Sequence, residues 1–446
     1  MPRVLLINPP SPERSCAPPL GLEYLAAALL DSGCEVRVID AAAQCFDHDD
    51  AWIAAETEAF APDVAGLSLY TNRVLEAYRL AERLRGRVPL LVAGGPHATA
   101  CPEEALARGF DAAVCGEADE TLPWLVEAHA RGRASDGIPG IRFRGACGPE
   151  GDRRPARVPD LDALPPPHRA WHLFDRRWYT ASDLATPPAG VMASRGCPAR
   201  CVFCANYVSG RRVRFRAPAA VVEDINLRHR LCGQTVFPFW DEAVTADPAR
   251  LRALLAAFAG GVAFPLRWSG ATRANMISPG LAAEMRAHGC YALSFGAESG
   301  DDAILRAIGK GLDTRAIEQA VRWAHEEGLA ASCNFMLGFP QEDAGALART
   351  LEFMQRLAPM VQFLCPSGAV VPFPGTPLYE QFHRPFGFTG WWLRPVRSRN
   401  AWDAAFERDF FRYPDAVRAA IADCLRFARQ HNESKGLAWP PVTGSC

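Results

Sequence analysis

Short apolar runs alternate with amphipathic segments of helical period along most of this chain, and that rhythm confines it to layered α/β architectures built on parallel sheets. Apolar runs at residues 4–7, 36–40, 64–68, 90–94 and 112–115, with a helical stretch at 20–30 closed by Gly33, predict a doubly wound parallel sheet over residues 1–145. A second series at 190–194, 235–240, 266–269, 292–296, 331–336 and 362–371, with helices such as 248–258 and 316–328, predicts a partial (β/α)6 barrel over 189–375. Between them Pro149, Pro155, Pro159, Pro165, Pro166, Pro167, Pro187 and Pro188 mark a stiff linker at 146–188. Sheets of both kinds bind ligands at the carboxyl ends of their strands, so the loops after those ends carry the functional information.

The 48 basic and 50 acidic residues nearly cancel, leaving a net charge of −2, which speaks against nucleic-acid and acidic-membrane partners and for a small, locally recognised substrate. The opening Met1-Pro2-Arg3-Val4-Leu5-Leu6-Ile7-Asn8 reads as a first strand rather than a leader. No apolar run approaches the roughly 18 residues of a membrane span. With 15 cysteines, an odd number, the chain is expected in a reducing cytoplasm. There, scattered thiols such as Cys34, Cys290 and Cys333 are small core residues, and a tight cluster means metal or catalysis.

One such cluster exists. Cys197, Cys201 and Cys204, spaced Cys-x3-Cys-x2-Cys, follow the first apolar run of the second series. Thiolates are soft ligands suited to iron–sulfur clusters, and three ligands for four irons leave one iron open for chemistry. A structural zinc site is the alternative, but zinc takes four closed ligands and no second Cys-x2-Cys or His-x3-His pair lies downstream.

In the first series the loops are 8–10, 68–72, 94–99 and 116–122. The first is rich in proline and lacks Gly-x-Gly-x-x-Gly, which argues against a nicotinamide cofactor. Together the four resemble the loops of the Rossmann-like cobalamin-binding domain at the amino end of many radical S-adenosylmethionine (SAM) proteins. The resemblance implies cobalamin contacts from Pro9, Ser68, Tyr70, Thr71, Gly94, Gly95, Pro96, His97, Gly116, Glu117 and Glu120. Glycines at 94 and 95 would let backbone approach a bulky ligand. The pattern departs from cobalamin proteins that carry Asp-x-His-x-x-Gly after the first strand, because Asn8-Pro9-Pro10-Ser11-Pro12-Glu13 holds no histidine. Cobalt is then expected to lack a ligand from this loop, with Tyr70 or Arg73 near its lower face and His97 at the cofactor's edge or in a turn. The plain alternative is a flavodoxin-like sheet without its ligand.

The cysteine loop, including Pro198, Arg200 and Phe203, resembles the loop that holds the [4Fe-4S] cluster of radical SAM enzymes, with SAM chelated to the open iron. On that resemblance Asp241 and Glu242 accept hydrogen bonds from the methionyl ammonium, although Thr245 and Asp247 leave helix capping as another role for the stretch. Arg273 would pair with a carboxylate of cofactor or substrate, or form a structural ion pair. Glu298 and Ser299 would contact ribose or methionyl groups, and Asn334 and Gly338 belong to an adenine-contacting Gly-Phe-Pro element. The implied enzyme is a cobalamin-dependent radical SAM methyltransferase that carries a methyl group to a carbon of a small, natural-product-like substrate in a biosynthetic pathway. Its electron donor would be a flavodoxin or ferredoxin. A non-methylating radical step such as oxidative cyclisation or ring contraction is the enzymatic alternative, and a cobalamin sensor the non-enzymatic one. Residues 376–446 interleave Phe382, Phe386, Phe388, Trp391, Trp392, Trp402, Phe406, Phe410 and Phe411 with Arg384, Arg394, Arg397 and Arg399, and read as a mainly helical, substrate-covering region whose aromatics pack as core.

Overall fold

The computed structural model describes residues 1–11, 17–44, 50–133, 137–145, 154–179, 189–395 and 407–436. Pro12, Glu13, Pro149, Pro187, Pro188, Arg397, Arg399, Trp402 and Phe406 lie outside them.

The first sheet runs in the order β2 (Glu35–Asp40), β1 (Arg3–Asn8), β3 (Val64–Ser68), β4 (Leu90–Gly94), β5 (Ala112–Val114), β6 (Ile141–Phe143). β1 to β5 are parallel, and only β6 is antiparallel. Chain direction across the sheet reverses between β1 and β3, so the loops after these two strands flank the crevice where such sheets take their ligands. The strands read as continuous apolar runs because both faces are covered. Val4, Leu6, Val36 and Val38 pack on one side, and Leu5, Ile7, Ala65 and Leu67 on the other.

Much of the proline-rich linker is a further layer of this unit. Phe174 and the fully buried Tyr179 join the first core, and the Tyr179 hydroxyl donates to Asp40 Oδ2 at 3.0 Å. Ala156 docks on the end of β5, its amide donating to the Cys115 carbonyl and its carbonyl accepting from Glu117.

The second sheet holds five parallel strands in sequence order: β9 (Val236–Phe239), β10 (Arg267–Thr272), β11 (Cys290–Glu298), β12 (Ala330–Leu337) and β13 (Phe363–Ala369). The run at 190–194, expected as a sixth strand, survives only as a bridge between Val191 and Phe239. Asp241 explains the loss: it takes the Ala193 amide and the Ser194 hydroxyl, at 3.0 and 2.5 Å, which draws the backbone off the ladder. β7 (Ser194–Arg195) instead pairs antiparallel with β8 (Arg214–Phe215). Several barrel helices open on side-chain caps at Asp247, Ser278, Asp301, Asp313 and Asp343, so Asp247 caps the helix after β9 while Asp241 and Glu242 stay outside that role.

After the barrel, Phe388, Trp391, Trp392, Phe410 and Phe411 are buried, with edge-to-face contacts such as Trp391 on Phe410 at 5.2 Å. The closing helix Asp415–Ser434 lies along β13, where buried Asn432 bonds both the amide and the carbonyl of Leu364. Among the described residues no helix is long and apolar enough to cross a membrane.

Candidate functional site

The three cysteines stand on a loop pinned from several sides. Cys197 N donates to the Gly210 carbonyl, Val202 N to the Ile308 carbonyl and Leu378 N to the Val202 carbonyl. Gly196 has φ +105, and a Cβ there would lie 2.5 Å from the Arg212 carbonyl oxygen, so the turn into Cys197 requires glycine. Although Cys204 lies at the surface, desolvation by the surrounding loop, then Cys201 and less strongly Cys197, raise its thiol, which puts the three sulfurs in one electrostatic neighbourhood. All three are free thiols. Among the described residues no three His, Cys, Asp or Glu side chains converge as ligands of a single ion. A four-iron cluster takes one thiolate at each of three separate corners, so this donor set fits it better than one zinc ion.

The acids beyond β9 divide their work. Asp241 is buried, both its oxygens are bonded to the cluster strand, and burial pushes its carboxyl up to about 6 against hydrogen bonds from Ser194 and Ala193. Glu242 is exposed and accepts from Gly196 N at 3.0 Å, which leaves it the reachable member of the pair. Arg273 bridges the loop to the barrel, with Nη1 3.4 Å from Cys201 Sγ and Nη2 donating to the Lys310 carbonyl. Glu298 sits at the end of β11 with φ +66, a conformation that costs a non-glycine residue about 1–3 kcal/mol. Its Oε1 accepts from buried Lys310 Nζ at 2.8 Å, and this pair packs over Gly296, where any Cβ would collide with both groups. Asn334 faces the barrel interior and donates to Ser294 Oγ at 3.0 Å, while Phe203 packs on Phe339 with ring centres 5.8 Å apart. Ser299 is fully buried, facing Thr350 and Glu342, because the chain turns inward after Glu298.

Gly338 has φ +79 and its turn is held on both sides. Its amide and that of Phe339 donate to Glu342 Oε2 at 2.6 and 2.9 Å, and its carbonyl accepts from the Tyr413 hydroxyl at 2.5 Å. Burial pushes the Glu342 carboxyl up to about 7 against those two amides. The folded state therefore holds this proton more tightly than the unfolded chain, whose value is about 4.3. Stability from this group is complete below pH 4 or so and is lost as pH rises through 7. Glu342→Gln keeps an acceptor for both amides but cannot ionise. The pH dependence of its thermal unfolding between pH 4.5 and 8 is expected to be flatter than the native protein's by about 3 kcal/mol, and an unchanged slope would count against the assignment.

On the first sheet, Ser68 and Gly94 are register partners at the ends of β3 and β4, half-buried, with Pro9 buried at the end of β1. Gly94 has no protein neighbour closer than 3.9 Å to where a Cβ would stand, so the missing side chain leaves a cradle at the strand ends. Gly95, with φ +89, is instead required by the Leu69 carbonyl, and Gly116 by the backbone of Ala156. Pro96 opens the short helix beyond Gly95. Arg73 donates to Asn8 Oδ1 at 3.0 Å and stacks on Tyr70, tying the loops after β1 and β3 together at the crevice.

His97 is fully buried with both ring nitrogens engaged: Nδ1 lies 3.0 Å from Thr71 Oγ1, and Nε2 lies 3.2 Å from both Tyr78 Oη and Glu104. It is a knot between loops and has no nitrogen to spare for cobalt. Against burial, which would raise it, hydrogen bonds from His97, Tyr78 and Trp392 hold the Glu104 carboxyl below its usual range. Glu120 lines an open depression with Asp119, Trp124 and Asp31 that reaches Pro2 and Cys34 beside the amino ends of β1 and β2.

The two halves meet through buried ion pairs that nothing in the spacing announced. Arg195, two residues before Cys197, forks onto both oxygens of Asp119 at 2.9 and 3.0 Å. Its β-partner Arg214 forks onto Glu117 at 2.6 and 2.7 Å. Glu117 is therefore occupied at the interface. Lys310, Glu342 and Tyr413 were likewise missed, although Lys310 lies between two glycines and Glu342 follows the Gly-Phe-Pro turn closely.

Residues 14–126 match the B12 binding domain family and residues 191–354 the Radical SAM superfamily. The chain is 31% identical over 392 residues to the uncharacterized methyltransferase PH0819 of Pyrococcus horikoshii, covering 85% of this chain and 82% of that protein. It is 28% identical over 409 residues, 79% of this chain and 76% of the other, to the cytidylyl-2-hydroxyethylphosphonate methyltransferase of Streptomyces wedmorensis. Its fold is that of the radical S-adenosylmethionine methyltransferase TsrM from Kitasatospora setae, solved with tryptophan and a SAM analogue, with a TM-score of 0.71 at 20% identity over 96% of this chain and 89% of TsrM.

Proposed function

Because the chain belongs to the cobalamin-binding radical SAM family, we propose that it transfers a methyl group from cobalamin to a carbon of a small molecule. The observation that carries the reading is the lock between the two halves: Arg195 and Arg214, at the base of the cysteine loop, close on Asp119 and Glu117, at the carboxyl end of the cobalamin sheet. When bound, the [4Fe-4S] cluster supplies the electron that cleaves SAM, and cobalamin the methyl group to be moved.

The chain's own residues hold and orient these groups. Cys197, Cys201 and Cys204 ligate the cluster, while Asp241 and Arg273 brace its loop. Glu242 is the acid open to the methionyl ammonium, the strained Glu298 and its Lys310 present a fixed polar edge, and the Gly338 turn, held by Glu342 and Tyr413, fixes the course of the segment that would border the adenine. Gly94 and the loops ending in Pro9, Ser68 and Tyr70 form the cobalamin cradle. The cobalamin unit comprises 1–145 with the docked linker, the barrel 189–375, and the aromatic region 376–446 covers the substrate. Its aromatics and arginines favour a planar or carboxylated substrate.

The test is anaerobic reconstitution with iron, sulfide, cobalamin and SAM, reduction with dithionite or a reduced viologen, and mass spectrometry of a candidate substrate pool. Methyl transfer adds one CH2 and yields S-adenosylhomocysteine and 5'-deoxyadenosine in equal amounts. A product without the added carbon would establish the cyclisation-type alternative, and failure to release 5'-deoxyadenosine would overturn radical chemistry.

A further inference from the structure

We propose that the outer face of the cysteine loop is the docking surface for an acidic one-electron carrier protein of the flavodoxin or ferredoxin type, and that Arg200, Arg211 and Arg212 are its main contacts. The proposal rests on the loop holding a four-iron cluster.

Residues 195–216 contain six arginines and no lysine or acidic residue, in a chain whose net charge is only −2. Three of the six are neutralised inside the protein: Arg195 by Asp119, Arg214 by Glu117, and Arg216 by Asp224 at 3.3 Å. The other three, Arg200, Arg211 and Arg212, are exposed, and none has a carboxylate within ion-pair distance among the described residues. Their backbones fix them around the cluster. Arg200 precedes Cys201, and its carbonyl lies against Gly309. The Arg212 carbonyl closes on Gly196 beside Cys197, and Arg211 follows Gly210, which accepts from Cys197 N.

Two more exposed arginines join them from other segments. Arg157 donates to the Tyr207 carbonyl at 2.9 Å and lies along Gly210. Arg306 closes the helix Asp302–Ala307, which ends just before Ile308, the acceptor of Val202 N. The loop itself carries no acid; Glu242, from the turn beyond β9, meets it as the acceptor of Gly196 N. The result is a positive field centred on the loop and drawn from three separate stretches of chain. A groove for one small anion would converge on a point, whereas charges spread like this match an extended acidic surface.

The chemistry requires such a visitor. One electron leaves the reduced flavin or iron–sulfur centre of the carrier, which is oxidised by one unit, and enters the cluster, taking [4Fe-4S]2+ to [4Fe-4S]1+; no bond forms or breaks. The substrate side must be closed to water, so the carrier approaches from outside. Complementary charge raises the rate of such encounters by about 10- to 1,000-fold and loses its effect as salt shortens the screening length to ~3 Å near 1 M.

The test compares the native holoenzyme with the R200E/R211E/R212E variant in a stopped-flow instrument, following bleaching of the cluster by photoreduced flavodoxin and, separately, by the radical cation of a viologen. The expected result is a fall of about tenfold or more in the flavodoxin rate at low ionic strength, no slowing with the viologen, and convergence of the two proteins at high salt. A flavodoxin rate within about twofold of native overturns the proposal. So does an unchanged rate accompanied by lost binding of single-stranded RNA, which would assign the patch to nucleic acid. Should the native protein assemble no cluster, the reading of the loop fails on its own. Fluorescence titration of both proteins with oxidised flavodoxin then decides the surface: weakened binding by the variant supports it and equal binding overturns it.

Discussion

Replacing Cys201 with alanine is expected to abolish release of 5'-deoxyadenosine from SAM, a loss of at least about a thousandfold, or some 4 kcal/mol of barrier lowering. The reason lies in how little else the substitution disturbs. The neighbouring Val202 is held by its amide on Ile308 and by its carbonyl from Leu378, so the loop keeps its course without the thiol. What disappears is one of three soft ligands, together with the sulfur that faces Arg273 Nη1 at 3.4 Å. A cluster offered only two protein thiolates is not retained. Iron content and visible absorption after reconstitution should fall with activity, while far-ultraviolet circular dichroism stays native. Native-level cleavage of SAM by this variant would sink the cluster assignment.

The largest effect on stability is expected from Glu117→Ala, about 3–5 kcal/mol, which is a large share of the 5–15 kcal/mol that holds a typical domain folded. Buried Glu117 accepts from both terminal nitrogens of Arg214 and, at 2.7 Å, from the Val158 amide in the linker. Alanine leaves the guanidinium buried without its counter-charge, since the nearby Asp119 is already forked by Arg195. Arg214 pairs with Arg195 across the two-residue ladder that leads into Cys197, so cluster incorporation should drop as well. Glu117→Gln, which keeps one acceptor, is expected to lie between the two. Urea unfolding of the three proteins measures the series; an alanine variant within about 1 kcal/mol of native would show the pair to be dispensable.

What could be read in advance follows from how far apart the cooperating residues lie. The five parallel strands of the first sheet were visible because each is a short apolar run between turn residues. β6 left no apolar run because Arg142 interrupts Ile141 and Phe143, and the run at 190–194 looked like a strand until Asp241 claimed its backbone. The cysteine loop is legible because all three ligands fall within eight residues, Cys197 to Cys204. Residues 241, 242, 273, 298 and 338 were located by the resemblance of the segments after the strands to those of radical SAM enzymes, but their individual duties depend on neighbours that no local spacing encodes. Arg195 and Asp119 are separated by 76 positions, and Arg214 and Glu117 by 97. His97 shows the same limit: one histidine beside a proline gave no sign that Thr71, Tyr78, Glu104 and Trp392 would surround it.

Trp392 also bears on how the molecule is made. Its indole nitrogen donates to both oxygens of Glu104, 288 positions earlier, and its ring lies edge-on to His97. During synthesis the amino-terminal sheet emerges first, yet this side of it stays without its cover until residue 392 has left the ribosome. The amino-terminal unit therefore spends most of translation without this cover, which arrives only with a segment near the carboxyl end of the chain.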